Sequence, residues 1–335
     1  MKGFTKVCLV ICTVLVVLGV IFCAVSASMG FGYRQFWEMA RDGAFQFGPD
    51  GFDFWDDDFW DDDNWMKEEG GKEEVKSKDG DWVQSEKSWP AAGIRNLDID
   101  FDFGKLEILP SDKDEIQLEV YYRSNWEKYQ RSIYWTQDGD TLEVHDSVDR
   151  KIFRLFRHGV GDAKLVIRIP KGKVFEEFQL EIGAADVDVS LDTQLFASEM
   201  TISLGTGQFV GNSAGKDQTL LNAKELDLDI GAGKLELSGI VADEIDADCG
   251  AGEMSLKNVT AKNVDVEGGV GRVVLEMNGK KEYYNYDVEC GIGHVIIGDS
   301  SYSGLGASKS INNGSDRNMN IDCGIGEVEI SFTEE

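Results

Sequence analysis

The sequence predicts an all-β fold, a single-stranded β-solenoid of stacked short parallel strands, on three observations. Alternating apolar residues, a Gly-x-Gly turn and renewed alternation recur through the C-terminal half. The copies return about every 20 residues, as stacked repeats do and closed globules do not. The repeat region carries no helical apolar period.

The clear copies are Leu226–Leu237, Ile245–Leu256, Val264–Leu275, Tyr286–Ile297 and Met319–Ile330, with looser ones around Gly183 and Gly205. First glycines at Gly183, Gly205, Gly231, Gly250, Gly269, Gly291 and Gly324 give steps of 22, 26, 19, 19, 22 and 33 residues. Alternation puts Leu226, Leu228 and Ile230 on one face and Asp227 and Asp229 on the other, the signature of a half-buried strand. The pairs Gly231/Gly233, Gly250/Gly252, Gly269/Gly271, Gly291/Gly293 and Gly324/Gly326 are the structural turn residues, where the backbone bends without a side-chain clash. Like strands of successive turns stack in parallel about 4.8 Å apart, so seven turns make a rod on the order of 30–35 Å long. Before the last copy, the turn-rich stretch Ser300–Asp316 reads as a loop.

Cys249, Cys290 and Cys323 each precede a first glycine, where other copies carry Ile230, Leu204 or Ile182. They read as small apolar residues of one interior column. Metal ligands would converge at short spacing, and these do not. Cys249 lies two copies from Cys290, too far for a disulfide; Cys290 and Cys323 can stack as neighbours, with side-chain directions that seldom suit one.

Residues 93–335 make up the solenoid, with 93–175 as irregular capping turns and 176–335 as the repeats. In the capping part, Leu97, Ile99 and Phe101 alternate, Gly104 turns the chain, and Leu106 and Ile108 follow. Ile116–Val120, Thr141–His145 and Leu165–Pro170 are further strands, and Trp126, Trp135, Phe153 and Phe156 supply an apolar cap. The basic run Arg150–His158 reads as a solvated loop, with a site for an acidic glycan or anionic lipid as its functional alternative.

Val7–Ala27 is apolar and uncharged, and Lys2 and Lys6 precede it. Residues 7–29 therefore read as a transmembrane helix held in membrane lipid, 1–6 as a cytoplasmic tail, and the rest as extracytoplasmic: a single-pass protein of the cell membrane. Cleavage after Ala24-Val-Ser-Ala27, or at a lipoprotein-type Val20-Ile-Phe-Cys23, stays open as an alternative. Residues 30–92 read as an acidic, aromatic disordered linker. Its Phe54, Trp55, Phe59, Trp60 and Trp65 are candidate partner-binding residues. Asp56–Asp58 and Asp61–Asp63 lack the spacing of a calcium loop.

The chain has 335 residues and a net charge of −29, which excludes nucleic-acid binding. Its outward acids read as a solvated face, with weak divalent-cation binding as the second reading. Strands rather than helices follow the Gly-x-Gly turns, so these are not dinucleotide loops and no cofactor is expected. Only His145, His158 and His294 are present, with no nucleophile motif or metalloprotease motif, so no catalytic residue is assigned. A polysaccharide-active enzyme is the remote alternative.

Leu97–Gln117 with Ser111-Asp-Lys-Asp-Glu-Ile116, then Ile167-Arg-Ile-Pro-Lys-Gly172, then the repeats to Ile330, follow in a specific order. That order resembles the bacterial adhesin-type family called domain of unknown function 4097. The resemblance implies a β-solenoid domain, commonly membrane-anchored, and brings no catalytic residues. It also implies two roles: a surface module that binds cell-wall glycan or another cell, or a regulatory scaffold that engages a membrane protein.

Overall fold

The computed structural model describes residues 76–77, 82–123, 131–148, 163–191, 194–213, 219–303 and 306–334. Wherever apolar and polar residues alternate, the chain is extended. The N-terminal part contains β1 (Lys76–Ser77), β2 (Trp82–Pro90), β3 (Asn96–Ser111), β4 (Glu115–Arg123), β5 (Arg131–Asp138), β6 (Thr141–Val148) and β7 (Ala163–Pro170). The repeats begin with β8 (Val174–Leu191), β9 (Leu195–Ser213), β10 (Leu221–Ile230), β11 (Lys234–Cys249), β12 (Glu253–Thr260), β13 (Asn263–Gly268) and β14 (Arg272–Met277). They end with β15 (Asn285–Cys290), β16 (His294–Ile297), β17 (Ser300–Ser303), β18 (Ala307–Ile311), β19 (Asn318–Cys323) and β20 (Glu327–Phe332).

Each copy crosses two faces that meet at the glycine corner. On the first face the parallel order is β6, β3, β8, β9, β10, β11, β13, β19, β15. On the second it is β7, β3, β8, β9, β11, β12, β14, β20, β16. Inward side chains fill the space between the faces; Leu226, Leu228, Ile230, Leu235 and Leu237 of one copy are all buried. Each such side chain contributes roughly 1.5–3 kcal/mol.

The last copy does not stack in chain order. β19 pairs with β13 on one side and β15 on the other, and β20 lies between β14 and β16. The copy at Tyr286–Ile297 skips a layer, and Met319–Ile330 returns to fill it. The short 3-10 turn Lys281–Tyr283 lies in the connection that makes the skip. The three residues by which the step to Gly291 exceeds the 19-residue steps supply its length.

Three expectations change with this order. Ser300–Asp316 is not a loop throughout, because β17 pairs antiparallel with β16 and β18 with β15, so each face ends on an antiparallel edge strand. The N-terminal end mirrors this, with β5 antiparallel to β6, β4 to β7 and β2 to β4. Strands β1 and β2 lie inside the stretch assigned to the linker, so paired structure starts before residue 93. The capping part also holds a full layer, since β3 runs unbroken through the Gly104 corner.

Trp135 is buried at this end as expected and meets Trp89 edge-on at 5.9 Å. Trp126, Phe153 and Phe156 lie outside the described residues, as do residues 7–29 and the aromatic residues Phe54 to Trp65. Among the described residues no helix is long and apolar enough to cross a membrane. The three cysteines share one inward column and are free and buried. Cys290 and Cys323 are register partners, whereas Cys249 faces Gly268.

Candidate binding surface at the glycine corner

All ten turn glycines fall in two columns along the corner. Gly250 N–H donates to Ile230 C=O at 2.8 Å and Ala251 N–H to Gly231 C=O at 2.8 Å. Every later corner repeats these two bonds. The glycines are required by close approach. A Cβ on Gly252 would sit 2.3 Å from Gly233 O, one on Gly271 2.2 Å from Gly252 O, and one on Gly326 2.1 Å from Gly271 O. Only Gly104 and Gly207, in earlier layers, have φ in the left-handed region at this corner. At the first full layer Asp146 replaces the missing carbonyls: its Oδ2 accepts from the N–H groups of Asp102 and Phe103 at 3.2 and 3.4 Å.

The residue between the two glycines points outward. Following the ladder, this column reads Ala232, Ala251, Val270, Ile325, Ile292. Val270, Ile325 and Ile292 are 46%, 49% and 65% exposed. They belong to three adjacent layers only because the last copy is intercalated. Isolated exposed apolar residues are ordinary, but a contiguous ridge on a rigid corner marks an interaction surface.

One flank of the ridge is acidic. The column beside it on the first face reads Asp229, Asp248, Glu267, Asp322, Glu289. The next outward column holds Asp227, Asp246, Asp265, Asn320 and Asp287, so no Lys or Arg interrupts either. Burial, then Asp246, Glu267, Asp229 and Asp265, pushes the Asp248 carboxyl up to about 7. Asp248 Oδ1 is buried without a hydrogen-bond partner. Asp100, on β3, is pushed up to about 8 by burial, then by Asp102, Glu181, Asp146 and Asp98. The opposite flank is compensated: Arg272 bonds Glu327 at 3.0 Å and Glu329 at 2.7 Å, and Lys234 pairs with Glu236 at 2.7 Å.

These shifts fix a pH dependence. The folded state holds protons on Asp100 and Asp248 more tightly than the unfolded chain, whose aspartates titrate near ~3.9. Stability is therefore gained as pH falls through about 8 and about 7, and the gain is complete only near pH ~4. The denaturation midpoint should be higher at pH 6 than at pH 8.5. Asp248→Asn should raise stability at pH 8.5 by about 1–2 kcal/mol and flatten the slope. An unchanged slope in urea titrations of the variant would contradict this origin.

The model of the Toastrack DUF4097 family matches residues 94–323. The chain belongs to this Toastrack family. No curated protein matches it. Three of the solved structures similar to it illustrate the likeness. One is a candidate cell-adhesion protein from Clostridium sporogenes, at 16% identity over 78% of this chain and 100% of that one, TM-score 0.30. A candidate adhesin from Bacteroides fragilis shows 13% identity over 74% and 96%, TM-score 0.36. A candidate lipid-binding protein from Parabacteroides distasonis shows 15% identity over 75% and 97%, TM-score 0.36.

Among the described residues of this Toastrack chain, the remaining polar candidates do not assemble a reactive site. His294 Nε2 lies 3.0 Å from Ser301 Oγ, but among the described residues no carboxylate is paired with that histidine to orient it. His145 lies 3.4 Å from Glu143 and stacks at 5.3 Å on Tyr134, at the N-terminal end. His158 lies outside the described residues. Among the described residues, no three His, Cys, Asp or Glu side chains are grouped to hold a metal ion. The acidic columns run parallel along the face and do not converge. The ridge is not legible in the sequence, although Val270, Ile292 and Ile325 stand between their glycines where the two preceding clear copies carry Ala232 and Ala251.

Proposed function

We propose that this Toastrack chain is a non-enzymatic binding module of the cell surface, anchored in the membrane by residues 7–29, with its solenoid on the extracytoplasmic side. The exposed Val270–Ile325–Ile292 ridge beside an uncompensated acidic column carries the reading. A protein ligand suits this surface better than a glycan. Its aliphatic side chains offer no flat ring on which a sugar could stack, and they complement the apolar side chains that anchor protein interfaces. The scaffold role, with another membrane protein as partner, is therefore preferred to cell-wall attachment.

The test uses the full-length chain in detergent, immobilised and exposed to purified cell wall and to solubilised membranes. The wild type should capture membrane proteins, and the triple variant Val270→Ser/Ile325→Ser/Ile292→Ser should lose them. Equal capture by both would refute a ridge-based module.

A further inference from the structure

We infer that the ridge receives a basic amphipathic α-helix of a partner protein, laid along the rod axis with its Lys/Arg flank over the first face. The inference rests on the binding-module reading and names the partner's chemistry.

The ridge residues offer no backbone donor to a partner strand. Val270 N–H is spent on Gly250 O at 2.7 Å, Ile325 N–H on Gly269 O at 2.7 Å and Ile292 N–H on Gly324 O at 2.8 Å. An added strand would be left without half of its backbone bonds, so a ligand meets this surface mainly through side chains.

The spacing selects the helix. The ridge offers one anchor per layer, about 4.8 Å apart, so the three steps from Ala251 to Ile292 span about 14 Å. A helix laid along it presents one apolar side chain per turn of about 5.4 Å, or about 16 Å over three turns. An extended segment repeats the same face every ~6.8 Å and would be about 6 Å out of register over the same three steps.

Charge selects the flank. Asp248, Glu267, Asp322 and Glu289 border the ridge on one side only, while Arg272 on the other side is already paired with Glu327 and Glu329. A helix with apolar residues at i, i+4, i+7 and i+11 and Lys or Arg along one edge complements both features. An anionic bilayer would meet the same acids and be repelled.

The experiment measures binding of the full-length chain in detergent to a synthetic 16-residue Leu/Lys peptide with that pattern, and to its twin carrying Glu in place of Lys. Separate arms use phosphatidylcholine vesicles with and without phosphatidylglycerol. The Lys peptide should bind and become helical, with affinity falling in salt, and the Glu twin should not bind. Val270→Ser/Ile325→Ser/Ile292→Ser keeps every charge and alters only exposed side chains, so an unchanged melting curve verifies its fold. It should weaken binding about 30-fold or more. Asp322→Asn/Glu289→Gln should weaken it and flatten its salt dependence.

Equal affinity of the wild type and the serine variant would reduce the effect to general attraction by an acidic surface and overturn the inference. Binding to vesicles alone would overturn it as well. If the peptide fails while ridge-dependent capture of membrane proteins persists, the helix is wrong and the binding module stands.

Discussion

Gly326→Ala is expected to unfold the C-terminal layers under conditions in which the wild-type chain is intact. The added Cβ would lie 2.1 Å from Gly271 O and 3.1 Å and 3.2 Å from the carbonyl carbon and nitrogen of the same residue. All three are backbone atoms, so no flexible side chain can move aside. Relief requires β20 to separate from β14, yet Glu327 N–H bonds Gly271 O at 3.1 Å and Arg272 pairs with Glu327 and Glu329 across that junction. On the other side, a Cβ on Gly293 would meet Gly326 O at 2.5 Å, so the layer above leaves no slack. A cost of about 3–5 kcal/mol follows from forcing packed backbones apart. Gly93→Ala is the matched control: a Cβ there meets nothing within 4 Å, and the change should stay within about 0.5 kcal/mol. Urea midpoints for both variants check the pair, and equal effects would show that the corner is not held by backbone contact.

Much of this architecture could be read from the residues, and the limits have physical causes. Alternation around each Gly-x-Gly placed the inward columns correctly, because a one-residue slip would expose every apolar residue of a strand. The position of the cysteines followed from the same register. Layer order was not readable. Val264, Met319 and Tyr286 occupy equivalent inward places, and any clear copy can stack on any other. The remaining signals were the longer step to Gly291 and the 33-residue step to Gly324, which count residues without giving direction. Strand β2 is not legible in the sequence because Trp82–Pro90 carries few apolar residues and draws its order from antiparallel pairing with β4. Ser300–Ser303 and Ala307–Ile311 read as loop in the sequence because edge strands at the end of the stack need little apolar content. The ridge depends on layer order, so it was out of reach until Ile325 was found between Val270 and Ile292.

The second large effect concerns that order directly, and it is the first measurement to make. Asn320 is a register partner of both Asp265 and Asp287, and its Nδ2 donates to Asp265 Oδ2 at 3.2 Å. Asp265 and Asp287 are thus separated by a whole layer, about 9.6 Å between backbones, whereas stacking in chain order would place them about 4.8 Å apart. All three side chains point outward, so cysteines there leave the core untouched. With Cys8, Cys12 and Cys23 changed to Ser and the buried Cys249, Cys290 and Cys323 retained, the full-length chain is treated with a thiol crosslinker that spans about 5 Å. Asp265→Cys/Asn320→Cys should crosslink almost completely, and Asp265→Cys/Asp287→Cys should stay essentially uncrosslinked, as read by gel mobility and peptide mass. Efficient crosslinking of the 265/287 pair together with failure of the 265/320 pair would restore chain order, break the ridge apart and contradict the account.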